Sequence, residues 1–147
     1  MKSEEVYKVE DIYKLHLGLM KYVDYSDKGF ALVVYDYMNI IKDTIDKLKE
    51  ITRPLDDFIS GLKEISGRYV DREGRVSEES MTAYKMEIAS YREINKAVIE
   101  REQEIRESFR RMLDEEIRLA LPMISYDVVP EVFTAQDIEH FKIIIER

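Results

Sequence analysis

A seven-residue apolar repeat constrains this chain most. Thr44 alone breaks the apolar rule in the set Phe30, Val34, Tyr37, Ile41, Thr44, Leu48, Ile51, Leu55, Phe58, Leu62, Ile65 and Tyr69. Spacing by alternating fours and threes over this distance predicts a long helix with a coiled-coil-like stripe. Such a stripe needs a second helix to cover it, from the same chain or from a second copy.

A second stripe with the same spacing lies further along the chain. Its members are Met81, Tyr84, Ile88, Tyr91, Asn95, Val98, Glu102, Ile105, Phe109 and Met112. Between the two stripes, the segment from Gly67 to Gly74 has the composition of a turn. Folding there predicts an antiparallel hairpin in which Phe58 lies near Tyr91.

The sequence therefore predicts a single all-α domain, residues 1–147, built on a long antiparallel helical hairpin. Two short helices are expected to pack together at its open end, and one short extended segment lies near the C-terminus. The predicted segments are a short helix 9–22, a long helix 29–66, a turn 67–76, a long helix 77–118, an extended stretch 119–133 and a C-terminal helix 134–146. Pro54 lies inside the first long helix, where we expect a kink or a short break.

Helix starts are predicted from residues that cap helices. The predicted caps are Asp27 or Ser26 for the first long helix, Ser77 for the second, and Thr134 with Asp137 as a capping box for the last.

Composition limits the classes of function. Cysteine is absent, so thiolate metal sites, disulfides and cysteine nucleophiles are excluded. The acidic first residues and the lack of a long apolar run favour a cytoplasmic protein without a membrane span. The net charge of −8 disfavours direct binding to nucleic acids, because phosphates repel an acidic surface. No phosphate-binding glycine loop or serine elbow occurs, and no cofactor is expected.

Two polar positions on the second stripe leave alternatives open. Asn95 and Glu102 either admit water between the two helices and set their register, or mark a ligand-binding gap in the core. Asp137 and His140 are three residues apart, but no second pair completes a metal site. The glutamates of the second long helix alternate with arginines and lack the histidines of a carboxylate-bridged di-metal site. No catalytic or metal-ligating residue is therefore predicted.

The chain contains 10 tyrosines, several of them around the first turn. Tyrosine is enriched at protein interfaces because its ring gives a rigid amphipathic contact. Tyr22, Tyr25 and Tyr35 are the predicted partner interface.

The layout of most of the chain resembles that of a family of small phage and prophage helical proteins of unknown function from Gram-positive bacteria, and two segments carry the resemblance. The first, residues 69–74, has the pattern Tyr-x-Asp-x-x-Gly, and the second is the ending from Val129 to Ile138. The resemblance implies a helical hairpin that turns at the first segment. It also implies a viral accessory role, without catalytic residues or a known activity.

These observations predict a non-enzymatic protein-interaction or assembly module, phage-encoded, whose partner is another protein or a second copy. The alternative is an acidic inhibitor of a nucleic-acid-binding host protein that acts as a phosphate decoy. An enzyme would require a pocket that gathers Glu102, Asn95 and a tyrosine.

Overall fold

A computed structural model describes residues 3–25 and 27–146. Its helices are α1 (Val9–Lys21), α2 (Lys28–Tyr69), α3 (Glu78–Ile94), α4 (Lys96–Glu100), α5 (Glu102–Leu113) and α6 (Ala135–Phe141), with a 3₁₀ turn at Tyr126–Val128. Its strands are β1 (Glu5–Lys8), β2 (Glu116–Leu119), β3 (Ile124–Ser125) and β4 (Ile145–Glu146). The chain is mostly helical with one very long helix, which confirms the predicted fold class.

The chain divides into two compact units. Unit 1 holds the residues up to Lys49 together with those from Arg110 on, and unit 2 holds Glu50–Phe109. The predicted single domain stays a prediction, and each unit is described separately.

The first apolar stripe is the buried side of α2. Of its members within unit 1, Phe30, Val34, Tyr37, Ile41, Thr44 and Leu48 are all buried. The Asp27 side chain accepts the backbone N–H of Phe30 at 3.0 Å, so Asp27 caps α2, while Ser26 lies outside the described residues. Pro54 is exposed and α2 continues through it, which rules out the short break and leaves the kink as a prediction.

Unit 1 is built where α1 packs against α6. The side chains that α1 buries recur at helical spacing, which is why one face of this helix is apolar; its buried residues are Val9, Ile12, Leu15, Gly18 and Leu19. A ring cluster of Tyr22, Phe30, Phe133 and Phe141 extends this core, with centroids 5.0–6.2 Å apart.

The predicted helix 77–118 is too long at its C-terminal end. Helix α5 stops at Leu113, and β2 pairs antiparallel with β1 in the register Tyr7 to Ile117. The polar–apolar alternation of Glu116–Leu119 suits a strand, and pairing with β1, which is distant in the sequence, stabilises it there. Strand β1 was not predicted.

The predicted helix 134–146 is also too long. Helix α6 ends at Phe141, because the chain beyond it turns to place β4 parallel to β3. The Ile124 N–H donates to the Ile144 carbonyl at 2.7 Å. At its start, α6 has the predicted capping box between Thr134 and Asp137.

Unit 2 contains the turn end of the predicted hairpin. The rings of Phe58 and Tyr91 stack at 5.4 Å and 4°, which confirms that predicted pair. The second long helix is interrupted into α3, α4 and α5, with Asn95 between α3 and α4. Ser77 caps α3, as predicted, by accepting the Ser80 N–H at 3.3 Å.

The turn of unit 2 is organised by one carboxylate. Asp71 Oδ1 accepts the N–H groups of Glu73 and Arg75, each at 2.9 Å. Gly74 has a φ of +79°, a conformation that glycine adopts without steric cost. Asp71 and Gly74 of the Tyr-x-Asp-x-x-Gly segment are therefore required by the geometry of the turn.

Candidate protein-binding site

A buried carboxylate ties the C-terminal part of unit 1 to α1. Asp137 is 1% exposed, and it accepts hydrogen bonds from the Tyr22 hydroxyl at 2.6 Å and from the Lys21 ammonium at 2.9 Å. It also accepts the Thr134 N–H at 2.9 Å. Because these donors satisfy both of its oxygens, Asp137 acts as a clamp between α1 and α6.

The electrostatics of the clamp agree with this role. Burial alone would raise the pKa of Asp137, but the Tyr22 hydroxyl, the Thr134 N–H and Lys21 outweigh it and lower that pKa. Burial, together with the hydrogen bond to Asp137, raises the pKa of the Tyr22 phenol. At neutral pH the pair is therefore an ionised carboxylate and a neutral phenol, which is the combination that the 2.6 Å hydrogen bond requires.

A second anchor holds the segment that precedes the clamp. The Tyr37 hydroxyl donates to the Pro122 carbonyl, and burial raises the pKa of Tyr37 to about 12. Two residues later the chain enters β3, which β4 holds in place. The chain from β3 to Phe133 is thus fixed at one end by a strand pair and at the other by the ring cluster.

This fixed segment forms one wall of an open groove in unit 1, and the first turns of α2 form the other. The groove has a volume of about 770 Å³ and is lined by Tyr25, Asp27, Gly29, Phe30, Val33, Ile124, Ser125, Asp127, Val128, Val129, Pro130, Glu131 and Val132. We call it the 25–132 groove. Its size lies within the range of pockets that seat a ligand or several side chains of a partner.

A smaller cleft adjoins the 25–132 groove. It has a volume of about 400 Å³, shares Tyr25 and Val132 with the groove, and is lined by Met20, Lys21, Tyr22, Val23, Asp24, Tyr25 and Val132. Met20 and Val23 are 44% and 46% exposed, and Val132 is 62% exposed. Large apolar side chains therefore remain in water around both openings.

The structure separates the three tyrosines of the predicted interface. Tyr22 is 4% exposed, in the ring cluster, so it supports the surface from below and does not present its ring to a partner. Tyr25 is half-buried and lines both openings. Tyr35 is 65% exposed on α2, and Leu32, one helical turn before it, is 66% exposed.

The other singled-out polar residues are not brought into a site. The Asn95 amide donates to the Tyr91 carbonyl at 2.9 Å, at the end of α3. Glu102 is exposed and pairs with Arg106 at 2.9 Å. Within residues 3–25 and 27–146, no group of three or more histidine, aspartate or glutamate side chains is placed to hold a metal ion.

Sequence reasoning missed the 25–132 groove, because its two walls are far apart in the chain. A local signal did exist in the prolines at 122 and 130, which bound a stretch that is neither helix nor long strand. Among the described residues, no helix has both the length and the apolar character to cross a bilayer. Comparisons with protein-family models, curated proteins and solved structures gave no significant match.

Proposed function

We propose that this chain is a non-enzymatic protein-interaction module whose binding face lies on unit 1. The observation that carries the proposal is the set of large apolar side chains that unit 1 leaves in water. Met20, Val23, Val128 and Val132 line the two openings, and Leu32, Tyr35 and Tyr126 are close to lining residues in the chain. Each of the seven is between 44% and 66% exposed. Apolar side chains concentrated on one part of a surface are typical of protein–protein interaction sites.

The rigidity of the underlying structure supports the same proposal. The groove wall is held by the β3–β4 pair and by the Asp137 clamp, and the α2 wall begins at a capped helix terminus. A surface whose backbone is fixed before binding loses little conformational entropy when a partner docks.

Affinity capture with matched surface variants tests the proposal. Leu32→Ser with Tyr35→Ser removes two exposed apolar side chains from unit 1, and Met86→Ser with Ile94→Ser removes two from unit 2, where they are 66% and 83% exposed. We expect the wild type and the unit 2 variant to retain the same host protein, and the unit 1 variant to retain at least about tenfold less of it.

Light scattering after size exclusion shows whether the retained partner is a second copy. Equal capture by both variants would place the contact elsewhere. The non-enzymatic assignment would be wrong if the protein turned over a substrate and a single point mutation abolished that turnover.

A phage-encoded accessory role is the biological setting we propose, and its support is the resemblance of residues 69–74 and 129–138 to the phage family. The position of the gene tests it. Neighbouring virion genes would support an assembly role, whereas neighbouring genes that counter host defence would support the inhibitor described next.

An acidic inhibitor of a nucleic-acid-binding protein is the second candidate. The net charge of −8 favours it. The ion pairs along unit 2 weigh against a phosphate decoy there, because Arg101 pairs with Glu104 and Arg106 with Glu102. Added DNA should displace the partner if this candidate is correct, and should leave the complex intact if it is not.

A further inference from the structure

The 25–132 groove combines an apolar lining with charge of one sign. Phe30, Val33, Ile124, Val128, Val129, Pro130 and Val132 supply the apolar part of its lining. The charged residues that the structure describes in the lining are Asp27, Asp127 and Glu131, and none of the described lining residues is a lysine or an arginine.

Two of these acids are available to a ligand. Asp27 is engaged by the Phe30 N–H as a helix cap, although it keeps its negative charge. Asp127 and Glu131 are exposed, and the ion pairs among the described residues leave both carboxylates without a cation. The adjoining cleft has both signs of charge, since Asp24 and Lys21 line it and Lys21 pairs with Asp137.

From this arrangement we infer that the 25–132 groove binds a segment of a partner protein that carries apolar side chains flanked by lysine or arginine. This inference rests on the proposed function and specifies the chemistry of its partner. Apolar side chains would fill the lining, and the cations would pair with Asp127 and Glu131. Charges at the edge of an interface steer association and exclude partners of the wrong sign.

The same charges argue against two other occupants. A second copy of this acidic chain would bring further carboxylates against an acidic groove, and like charges placed together across an interface are repulsive. A nucleic acid would place its phosphates against the same carboxylates.

Selection from a displayed library of random peptides, about twelve residues long, tests the inference. Peptides are selected on the wild-type protein, and their affinities are measured by fluorescence anisotropy. We expect enriched sequences to combine large apolar residues with Lys or Arg. Their affinity should fall several-fold when NaCl rises from about 0.05 to 0.3 M.

Charge-matched variants locate the binding. Asp127→Asn with Glu131→Gln removes two negative charges from the groove, and Glu93→Gln with Glu100→Gln removes two exposed negative charges from unit 2. We expect the groove variant to bind the selected peptides about three- to tenfold more weakly at low salt, and the unit 2 variant to bind them like the wild type. Val128→Ser with Val132→Ser should weaken binding further, and circular dichroism checks that every variant is folded.

The outcomes separate this inference from the proposed function. Equal weakening by both charge variants, enrichment of acidic or uncharged peptides, or no enrichment at all would overturn the inference. If the host protein captured by the wild type is nevertheless lost with the Leu32 and Tyr35 variant, the proposed function stands and the partner docks outside the groove. If the Leu32 and Tyr35 variant retains the host protein as well as the wild type does, both proposals are wrong.

Discussion

Asp137 shows how one side chain can decide the arrangement of a whole region. Its carboxylate closes the capping box of α6 and reaches the Tyr22 hydroxyl and the Lys21 ammonium of the chain around the end of α1. A buried charge is costly unless it is well paired. Here the donors on three sides offset that cost, and they fix the position of α6 against α1.

Replacing Asp137 by asparagine should destabilise the protein and change how its stability depends on pH. The amide cannot accept from all of these donors, so at neutral pH we expect a loss of about 2–3 kcal/mol. Because the pKa of Asp137 is lowered in the folded state, its contribution is present above the unfolded value of about 3.9 and is lost as the pH falls below it.

Thermal unfolding between neutral and acidic pH checks this prediction, with Asp24→Asn as an exposed control in the same unit. The difference between the wild type and Asp137→Asn should shrink as the pH drops below about 4. If the melting temperatures of Asp137→Asn and Asp24→Asn changed with pH in the same way, the assignment of Asp137 as a clamp would be wrong.

At the scale of elements, the contact between α1 and α6 depends on the absence of a side chain. A Cβ added to Gly18 would lie 2.5 Å from Cε2 of Phe141, a fully buried ring. Gly67, also within a helix, has nothing within 4 Å of the same position. Two helical glycines therefore predict opposite responses to alanine.

Gly18→Ala should cost about 1–3 kcal/mol because the interior must shift to admit a methyl group. Gly67→Ala should stabilise the protein by about 0.5–1 kcal/mol, since alanine restricts the unfolded chain and favours helix. Urea unfolding measures both free energies. A neutral Gly18→Ala would mean that α6 can move away from α1 without loss.

The elements also show what could be predicted from the sequence. Heptad spacing gave the buried side of α2, and the Phe58–Tyr91 pair followed from folding the two stripes at the turn. Local rules also located the caps at Asp27, Ser77 and Thr134. These features depend on residues close in sequence or on a single pairing choice.

The features that the sequence did not predict depend on contacts between residues far apart in the chain. The β1–β2 pair joins residues 5–8 to residues 116–119, and the groove walls meet only after α2 has been placed beside the segment 124–132. No local pattern contains that information. Among the tyrosines, residue type alone could not separate buried Tyr22 from exposed Tyr35.

For the whole molecule, the two units differ in how much core they contain. The described buried apolar residues of unit 2 are Leu55, Phe58, Ile65 and Ile105, and α3 contributes no buried residue. In unit 1, α1 alone buries five residues. Local stability follows the amount of buried apolar contact, so the units should open with different free energies.

Hydrogen exchange followed by mass spectrometry measures this difference. We expect amides of α3 to exchange at least about tenfold faster than those of α1 after correction for intrinsic rates. Equal protection of the two helices would show that the small core of unit 2 does not limit its local stability.

The hydrogen bond between Tyr22 and Asp137 also gives the molecule an optical reporter. The chain has no tryptophan, so its near-ultraviolet absorption is dominated by tyrosine. With its pKa raised, the Tyr22 phenol ionises only at a more alkaline pH than a free tyrosine does. Because the pKa of Tyr37 is raised as well, the part of the late ionisation in a spectrophotometric titration that is lost in Tyr22→Phe is the part that reports the junction of α1 and α6.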